Sequence, residues 1–284
     1  MLIYLLECLY NGIENNREGN TMTTEFLTNT VKVDVNGRVA TIQLNRPESL
    51  NSINMEMIKE LGTCLKEISK SEEIDIVVLT GNDRAFSSGG DIKGMLSQET
   101  NENDFFAVMD SISELVVAIH SLPMLTISAI SGAAAGLGFS FALATDYILA
   151  DEKSKLAMNF IGIGLIPDGG AHYFLEKRLG EDKAKQLIWE GKVLSAEEAY
   201  KLGLVHEVSP NYKEALEAKI QEWLNKPVSA MIKTKKILAE KSRPQLLKIL
   251  ELEKNGQLAM RQTKDHKEGV AAFLEKRRPV FTGK

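Results

Sequence analysis

Phe86-Ser87-Ser88-Gly89-Gly90-Asp91 and Gly132-Ala133-Ala134-Ala135-Gly136-Leu137-Gly138 decide the fold of this chain. Each follows a short apolar run that reads as a buried strand, and each reads as a β-to-α junction. Backbone that bends at glycine at the end of a strand can aim bare N–H groups into a cavity. A single such turn is commonly a tight loop and nothing more. Two of them point to paired donors facing one developing negative charge.

Outward from the turns, strands and helices alternate. Val31 to Val35 and Val39 to Leu44 flank Asn36-Gly37, a hairpin signal. Met57, Leu61, Leu65 and Ile68 have helical spacing, and Ile76 to Thr80 is a continuous β-branched run expected to be buried on both faces. Phe105, Val108, Ile112, Leu115, Val116 and Ile119 predict a second amphipathic helix, stopped at Leu122-Pro123. Met124 to Ile130 reads as a strand, Phe139 to Ala144 as a short buried helix, and Tyr147 to Ala150 as another strand. From about residue 211 helical periodicity takes over (Met231, Ile237, Leu238; Leu246, Leu247, Leu250; Val270, Phe273), with no strand expected after Val205 to Val208. The expected organisation is an α/β core over 22–210 and a helical region over 211–284. No repeat of fixed length argues for a solenoid.

The composition is that of an ordinary globular protein: 284 residues, 44% hydrophobic and 26% charged. A net charge of −5 speaks against a nucleic-acid or anionic-membrane partner. Cys8 and Cys64 belong to no CxxC or Cys/His cluster, so neither a disulfide framework nor a metal site is expected, and the cytoplasm is the expected compartment. Met1 to Tyr10 is apolar but lacks a basic flank and is too short to span a bilayer. Residues 11–21 are polar and patternless, and Arg17-Glu18-Gly19 can be written in purine-only codons just before Met22. Residues 1–21 are therefore expected to be a translated leader ahead of a start at Met22, or else a flexible arm.

Other glycine motifs fit poorly. No Gly-x-x-x-x-Gly-Lys-Ser/Thr occurs, and Gly132 to Gly138 is spaced Gly-x-x-x-Gly-x-Gly, which misses the dinucleotide fingerprint. Gly138-Phe139-Ser140-Phe141-Ala142 lacks the last glycine of a hydrolase elbow, and its serine would enter a helix between two phenylalanines.

The ordered set Asn45-Arg46-Pro47 with Asn51, Ala85 to Ile92, Gly132 to Gly138 running into Ala142 to Asp146, Gly164 to Gly170, Leu194 to Ala199 and Glu268 to Arg277 resembles the crotonase (enoyl-CoA hydratase/isomerase) superfamily. The resemblance spans roughly residues 28–284. It implies a spiral of ββα units, a helical C-terminal trimerisation region, and assembly as a homotrimer or a dimer of trimers. It also implies an acyl-CoA thioester substrate, with no cofactor beyond the CoA the substrate carries. By that resemblance the oxyanion-hole donors fall on the N–H groups of Gly90 and Leu137. Ser49, Leu50, Asp91, Ile92 and Lys93 line the adenosine end of CoA, Phe281 and Lys284 reach a neighbouring subunit's CoA, and the helix from Phe105 to Ile119 contributes to the acyl pocket.

The two glutamates that serve hydratases of this family fall on Ser140 and Phe160, neither of which can carry a proton to carbon or water. The acidic position used by some family isomerases, after the proline of Gly-Leu-x-Pro-Asp-Gly, falls on Asp168. One carboxylate suffices for a double-bond shift, because the base that takes a proton from C2 can return it to C4. Asp168 also has a plainer reading as a cap of the helix beginning near Ala171. The expected activity is thus a 3,4-to-2,3 enoyl-CoA isomerase. The alternatives are an enoyl-CoA hydratase and a non-catalytic acyl-CoA-binding protein.

Overall fold

A computed structural model describes residues 13–18, 21–82, 84–92, 94 and 101–284, with side chains described from residue 27 onward. Among the described residues twelve strands fall into two sheets. The larger comprises β1 (Ile13–Glu18), β2 (Thr21–Leu27), β3 (Val31–Asn36), β4 (Val39–Leu44), β5 (Ile76–Thr80), β7 (Leu125–Ile130), β9 (Tyr147–Asp151) and β12 (Glu207–Ser209), adjacent in that order. The first four run antiparallel, and from β4 onward every pairing is parallel. The smaller sheet orders β11 (Val193–Ser195), β10 (Lys155–Ala157), β8 (Ala133–Ala135) and β6 (Ala85–Ser87).

The chain therefore spirals. Three times in succession a long strand of the large sheet is followed by a three-residue strand of the small one: β5 then β6, β7 then β8, β9 then β10. The strands of the small sheet are too short to show a period in the sequence. The β-branched run of β5 explains itself: Val77 and Leu79 face the main core, while Ile76 and Val78 face a second cluster closed by Ile220 and Val228.

Helices follow their sequence signals. α1 (Met55–Ile68) is capped by the Asn54 side chain and α2 (Glu102–Ser121) by that of Asn101. α3 (Leu137–Leu143) is buried at every residue. α4 (Ala171–Leu179), α5 (Glu181–Glu190) and α6 (Ala196–Lys201) follow, and α7 (Tyr212–Leu224) opens the helical C-terminal region. That region continues in α8 (Val228–Arg261) and α9 (Lys264–Glu275). α8 runs through Pro244, so two stretches of periodicity in the sequence are one 34-residue helix.

Strands β1 and β2 have no counterpart in the reading of residues 11–21 as patternless. They are defined by backbone pairing, Ile13 with Phe26 through Glu18 with Thr21, which extends the edge of β3. Residues 1–12, 19 and 20 of the expected leader lie outside the described residues.

Lys235 fixes the base of α8 to the large sheet. Its buried ammonium donates to the Met124 carbonyl at 2.8 Å and to the Asp146 carboxylate at 2.7 Å, and Asp146 in turn accepts from the Thr126 N–H and hydroxyl. Removing the cation leaves a partly buried carboxylate short of a donor. Lys235→Met is expected to cost about 2–3 kcal/mol of stability, read as a fall in the denaturation midpoint.

Candidate active site

After β4 the chain makes a short turn at Pro47–Ser49, and Leu50 and Asn51 then both take left-handed backbone angles with φ of 54°. Side chains rarely adopt that conformation without compensation. Fully buried Asn51 supplies it: Oδ1 accepts the Arg46 N–H at 2.8 Å, and Nδ2 donates to the carbonyls of Ala85 (2.9 Å) and Phe86 (3.3 Å). The Ser87 hydroxyl donates to the Asn51 carbonyl and accepts the Gly89 N–H at 3.1 Å. Ile53 donates to the Gly89 carbonyl and receives the Asp91 N–H, so Gly90 is held from both sides. In that parallel bridge the Gly90 N–H points away from Ile53, and it has no acceptor among the described residues.

The second turn is built alongside the first. β6 pairs with β8 in parallel, Ala85 opposite Ala133 and Ser87 opposite Ala134. Gly136 then adopts φ 50° and ψ −127°, a conformation reserved for glycine, and α3 begins at Leu137. The first N–H groups of a helix have no partner within it, and that of Leu137 meets no acceptor among the described residues. The two turns touch at the residues just before the donors. A Cβ on Gly89 would lie 2.9 Å from the Ala135 carbonyl oxygen, and one on Gly136 would lie 3.9 Å from the Gly89 Cα. A Cβ on Gly90 meets nothing within 4 Å. Two backbone N–H groups without an acceptor among the described residues thus follow two turns that touch.

The third component is the loop that enters α4. Gly169 and Gly170 take successive left-handed conformations, and the Leu137 side chain packs where Gly169 lacks one: a Cβ there would lie 2.7 Å from Leu137 Cδ1. The Ser140 hydroxyl donates to the Asp168 carbonyl at 2.8 Å. Asp168 is buried; its Oδ1 has no partner, and its Oδ2 lies 3.4 Å from Gln257 Nε2. Burial, reinforced by the nearby charge of Glu253, pushes its pKa up to about 8. Folding therefore retains a proton there that the unfolded chain releases near pH 4, and stability is lost as pH rises through about 8.

The plainer reading of Asp168 as a helix cap is not what the structure contains. The N-cap of α4 is Gly170, without a side-chain cap of its own. Buried Glu253 of α8 takes that place, with Oε2 accepting the Gly170 N–H at 2.7 Å and Oε1 accepting the His172 N–H at 3.1 Å. Sequence reasoning passed over Glu253 and Gln257. The available signal was their position in a stripe of buried residues on α8 (Leu246, Leu250, Glu253, Gln257), where two polar residues continue an apolar face.

The remaining expected residues fall as follows. The Phe160 ring lies against Gly136, within 3.6 Å of where a Cβ would stand. The Ser140 hydroxyl is committed to backbone carbonyls between buried Phe139 and Phe141, so Ser140 is not placed as a hydrolase nucleophile. The Asp91 carboxylate bonds Arg46 at 3.0 Å and the Gly94 N–H at 3.0 Å; burial would raise its pKa, but those donors outweigh it and hold it low. Ser49 and Leu50 carry carbonyls that accept from Ser88, and the Ile92 N–H donates to the Gly90 carbonyl. Lys93 lies outside the described residues. Phe281 is exposed, and the Lys284 carbonyl accepts from the Asp265 N–H of α9. Among the described residues no group of acidic, His and Cys side chains could hold a metal ion, and no helix is long and apolar enough to cross a membrane.

Residues 34–284 match the family model described as enoyl-CoA hydratase/isomerase. The chain belongs to the enoyl-CoA hydratase/isomerase family. It is 46% identical over 252 residues to YhaR of Bacillus subtilis (strain 168), a protein named for the same family; the match covers 88% of this chain and 98% of YhaR. The trans-2-decenoyl-[acyl-carrier-protein] isomerase of Streptococcus mutans is 32% identical, covering 88% and 97%. Among solved structures, an enoyl-CoA hydratase from Mycobacterium avium subsp. paratuberculosis superposes with a TM-score of 0.81 at 31% identity, covering 90% of this chain and all of that one. The spiral of the enoyl-CoA hydratase/isomerase fold is therefore common to this chain and that structure, while the named relatives divide between hydratases and isomerases.

In this family member the first turn leans on one side chain. Asn51→Ala strips three hydrogen bonds from buried backbone and leaves alanine at a positive φ. A loss of about 2–4 kcal/mol in chemical denaturation is expected.

Proposed function

We propose that this protein is a 3,4-to-2,3 enoyl-CoA double-bond isomerase in which Asp168 carries the proton and the N–H groups of Gly90 and Leu137 form the oxyanion hole. The observation that carries the reading is the state of the carboxyls. Asp168 is buried with an unpartnered oxygen and a pKa near 8, and no second free carboxyl stands at Ser140 or Phe160. Glu253, the other buried carboxyl here, is occupied by backbone donors.

Ionised Asp168 takes the proton from C2 of the bound thioester. The C–H electron pair flows into the thioester carbonyl, and the dienolate oxygen receives two N–H hydrogen bonds. Asp168, now protonated, delivers the proton to C4, the carbonyl re-forms, and the 2,3 double bond is left. The carboxylate is regenerated and no water is consumed. The Phe160 ring against Gly136 and the committed Ser140 hydroxyl support this over hydration, since neither position can activate water. The chemistry needs no cofactor beyond CoA. A homotrimer or dimer of trimers is part of the proposal, supported by exposed Ile237, Leu238, Leu247 and Leu252 on α8 and by exposed Phe273 and Leu274 on α9. A cytoplasmic location suits an enzyme fed by CoA thioesters.

Gly90→Pro deletes one donor at a position whose N–H bonds nothing else among the described residues, and should lower turnover at least about a hundredfold in a protein with an unchanged circular dichroism spectrum. Full turnover in that variant would remove Gly90 from the hole. Asp168→Asn should depress 3-enoyl-CoA isomerisation by about 10² to 10⁴ with little change in binding. Because the base must be ionised, kcat/KM of the wild type should climb about tenfold per pH unit below pH 8 and level off above it. Side-by-side assay of 2-enoyl and 3-enoyl thioesters decides between activities. Crotonyl-CoA hydrated far faster than any 3-enoyl thioester is isomerised would establish the hydratase instead.

A further inference from the structure

A carboxylate directly before a helix N-terminus ordinarily captures the free N–H groups there. Asp168 stands three residues before the first residue of α4, two before its N-cap Gly170, and captures none. Its backbone carbonyl receives the Ala171 N–H at 3.3 Å, while the N–H groups of Gly170 and His172 go to Glu253, more than 80 residues later in the chain. We propose that Glu253 is a positioning residue: it takes the α4 cap in place of Asp168 and so leaves Asp168 Oδ1 without a partner, as the basic oxygen for the double-bond shift. This rests on the assignment of Asp168 as the proton carrier.

Two consequences of the geometry act together. First, occupancy: the donors that would tie down and stabilise the Asp168 carboxylate are already filled, and its Oδ1 is left without a partner. Second, charge: the positive end of α4, which would favour ionised Asp168, is met by the carboxylate of Glu253 instead. Burial comes first and Glu253 second in raising the Asp168 pKa. Gln257, one turn further along α8, donates to the Ile166 carbonyl at 2.5 Å and holds the loop in register with Glu253.

Among the described residues Glu253 is the one charged group acting directly on Asp168. Behind it, partly exposed His172 of α4 places Nδ1 2.8 Å from Glu253 Oε1. α3 presents the uncharged Ser140 to the same loop, and α2 presents Val116.

The test is Glu253→Gln, which keeps shape and one acceptor oxygen but removes the charge. Asp168 is titrated by infrared difference spectroscopy of its protonated-carboxyl band, assigned by the loss of that band in Asp168→Asn. In parallel, kcat/KM for a 3-enoyl-CoA is measured against pH. The wild-type midpoint is expected near 8. In Glu253→Gln both midpoint and kinetic limb should move down by about 1–2 pH units, and Glu253→Asp should restore them. A folded Glu253→Gln protein with an unmoved midpoint overturns the proposal. The infrared midpoint needs no turnover, so inactivity of the wild type on every 3-enoyl thioester would defeat the isomerase reading separately. Should Glu253→Gln fail to fold, His172→Gln substitutes for it. Glu253 keeps its charge but loses the imidazole, so the Asp168 midpoint should stay or rise; a fall overturns the proposal.

Discussion

The architecture of the site depends on one close approach of backbone to backbone. Gly89 and Gly136 follow two short strands that pair in parallel; a Cβ on Gly89 would press on the Ala135 carbonyl oxygen, and Gly136 holds a backbone conformation reserved for glycine. The residue after each is a donor, so strand pairing sets the separation of two N–H groups before any ligand arrives. Electrostatic stabilisation is effective when the dipoles are fixed in advance, because nothing must reorganise as charge appears. The spiral supplies that fixity: successive units present the same β-to-turn geometry, and the small sheet places them side by side. Asn51 completes it from the opposite flank by tying the first turn to the chain leaving β4.

The C-terminal region reaches into this site and does more than present an outer surface. Glu253 and Gln257 of α8 hold the loop carrying Asp168, and Leu246 of the same helix packs at Gly170. Lys235 anchors the near end of α8 to the large sheet through Asp146. A shift of α8 along its axis would therefore strain the Asp168 loop and an ion pair at the same time. Oligomer contacts on its exposed face, in the assembly we propose, would bear directly on the position of Asp168.

Much of this was legible in the sequence because the signals were local. The β-branched run of β5, the hairpin at Asn36-Gly37, the helical spacing of α1 and α2, and both glycine turns depend on neighbours within a few residues. The strands of the small sheet were not, since three residues carry no period, and β1 and β2 were not, since an edge hairpin is set by pairing and not by pattern. The largest omission was the partner of the α4 N-terminus. Pro-Asp-Gly-Gly before a helix offers its own aspartate as the cap, and only the tertiary fold shows that a glutamate on a distant helix has taken the position.

That displacement bears on which chemistry the proposed single acid can sustain. A double-bond shift asks one group to accept a proton and then return it without exchange. The pKa must therefore lie close to the working pH, so that neither the charged nor the neutral form is a deep trap. A carboxyl fixed by helix N–H groups would be too weak a base to touch C2, whereas one with an open oxygen in an apolar wall is a far stronger base once ionised. Hydration makes a different demand: water must be held and deprotonated while a second group protonates carbon. The two positions that the family resemblance implies for this work hold a phenylalanine whose ring lies against Gly136 and a serine bonded to backbone carbonyls. In the reading we propose, Glu253 is spent on the helix and Asp168 is left as the single group to move one proton between two carbons.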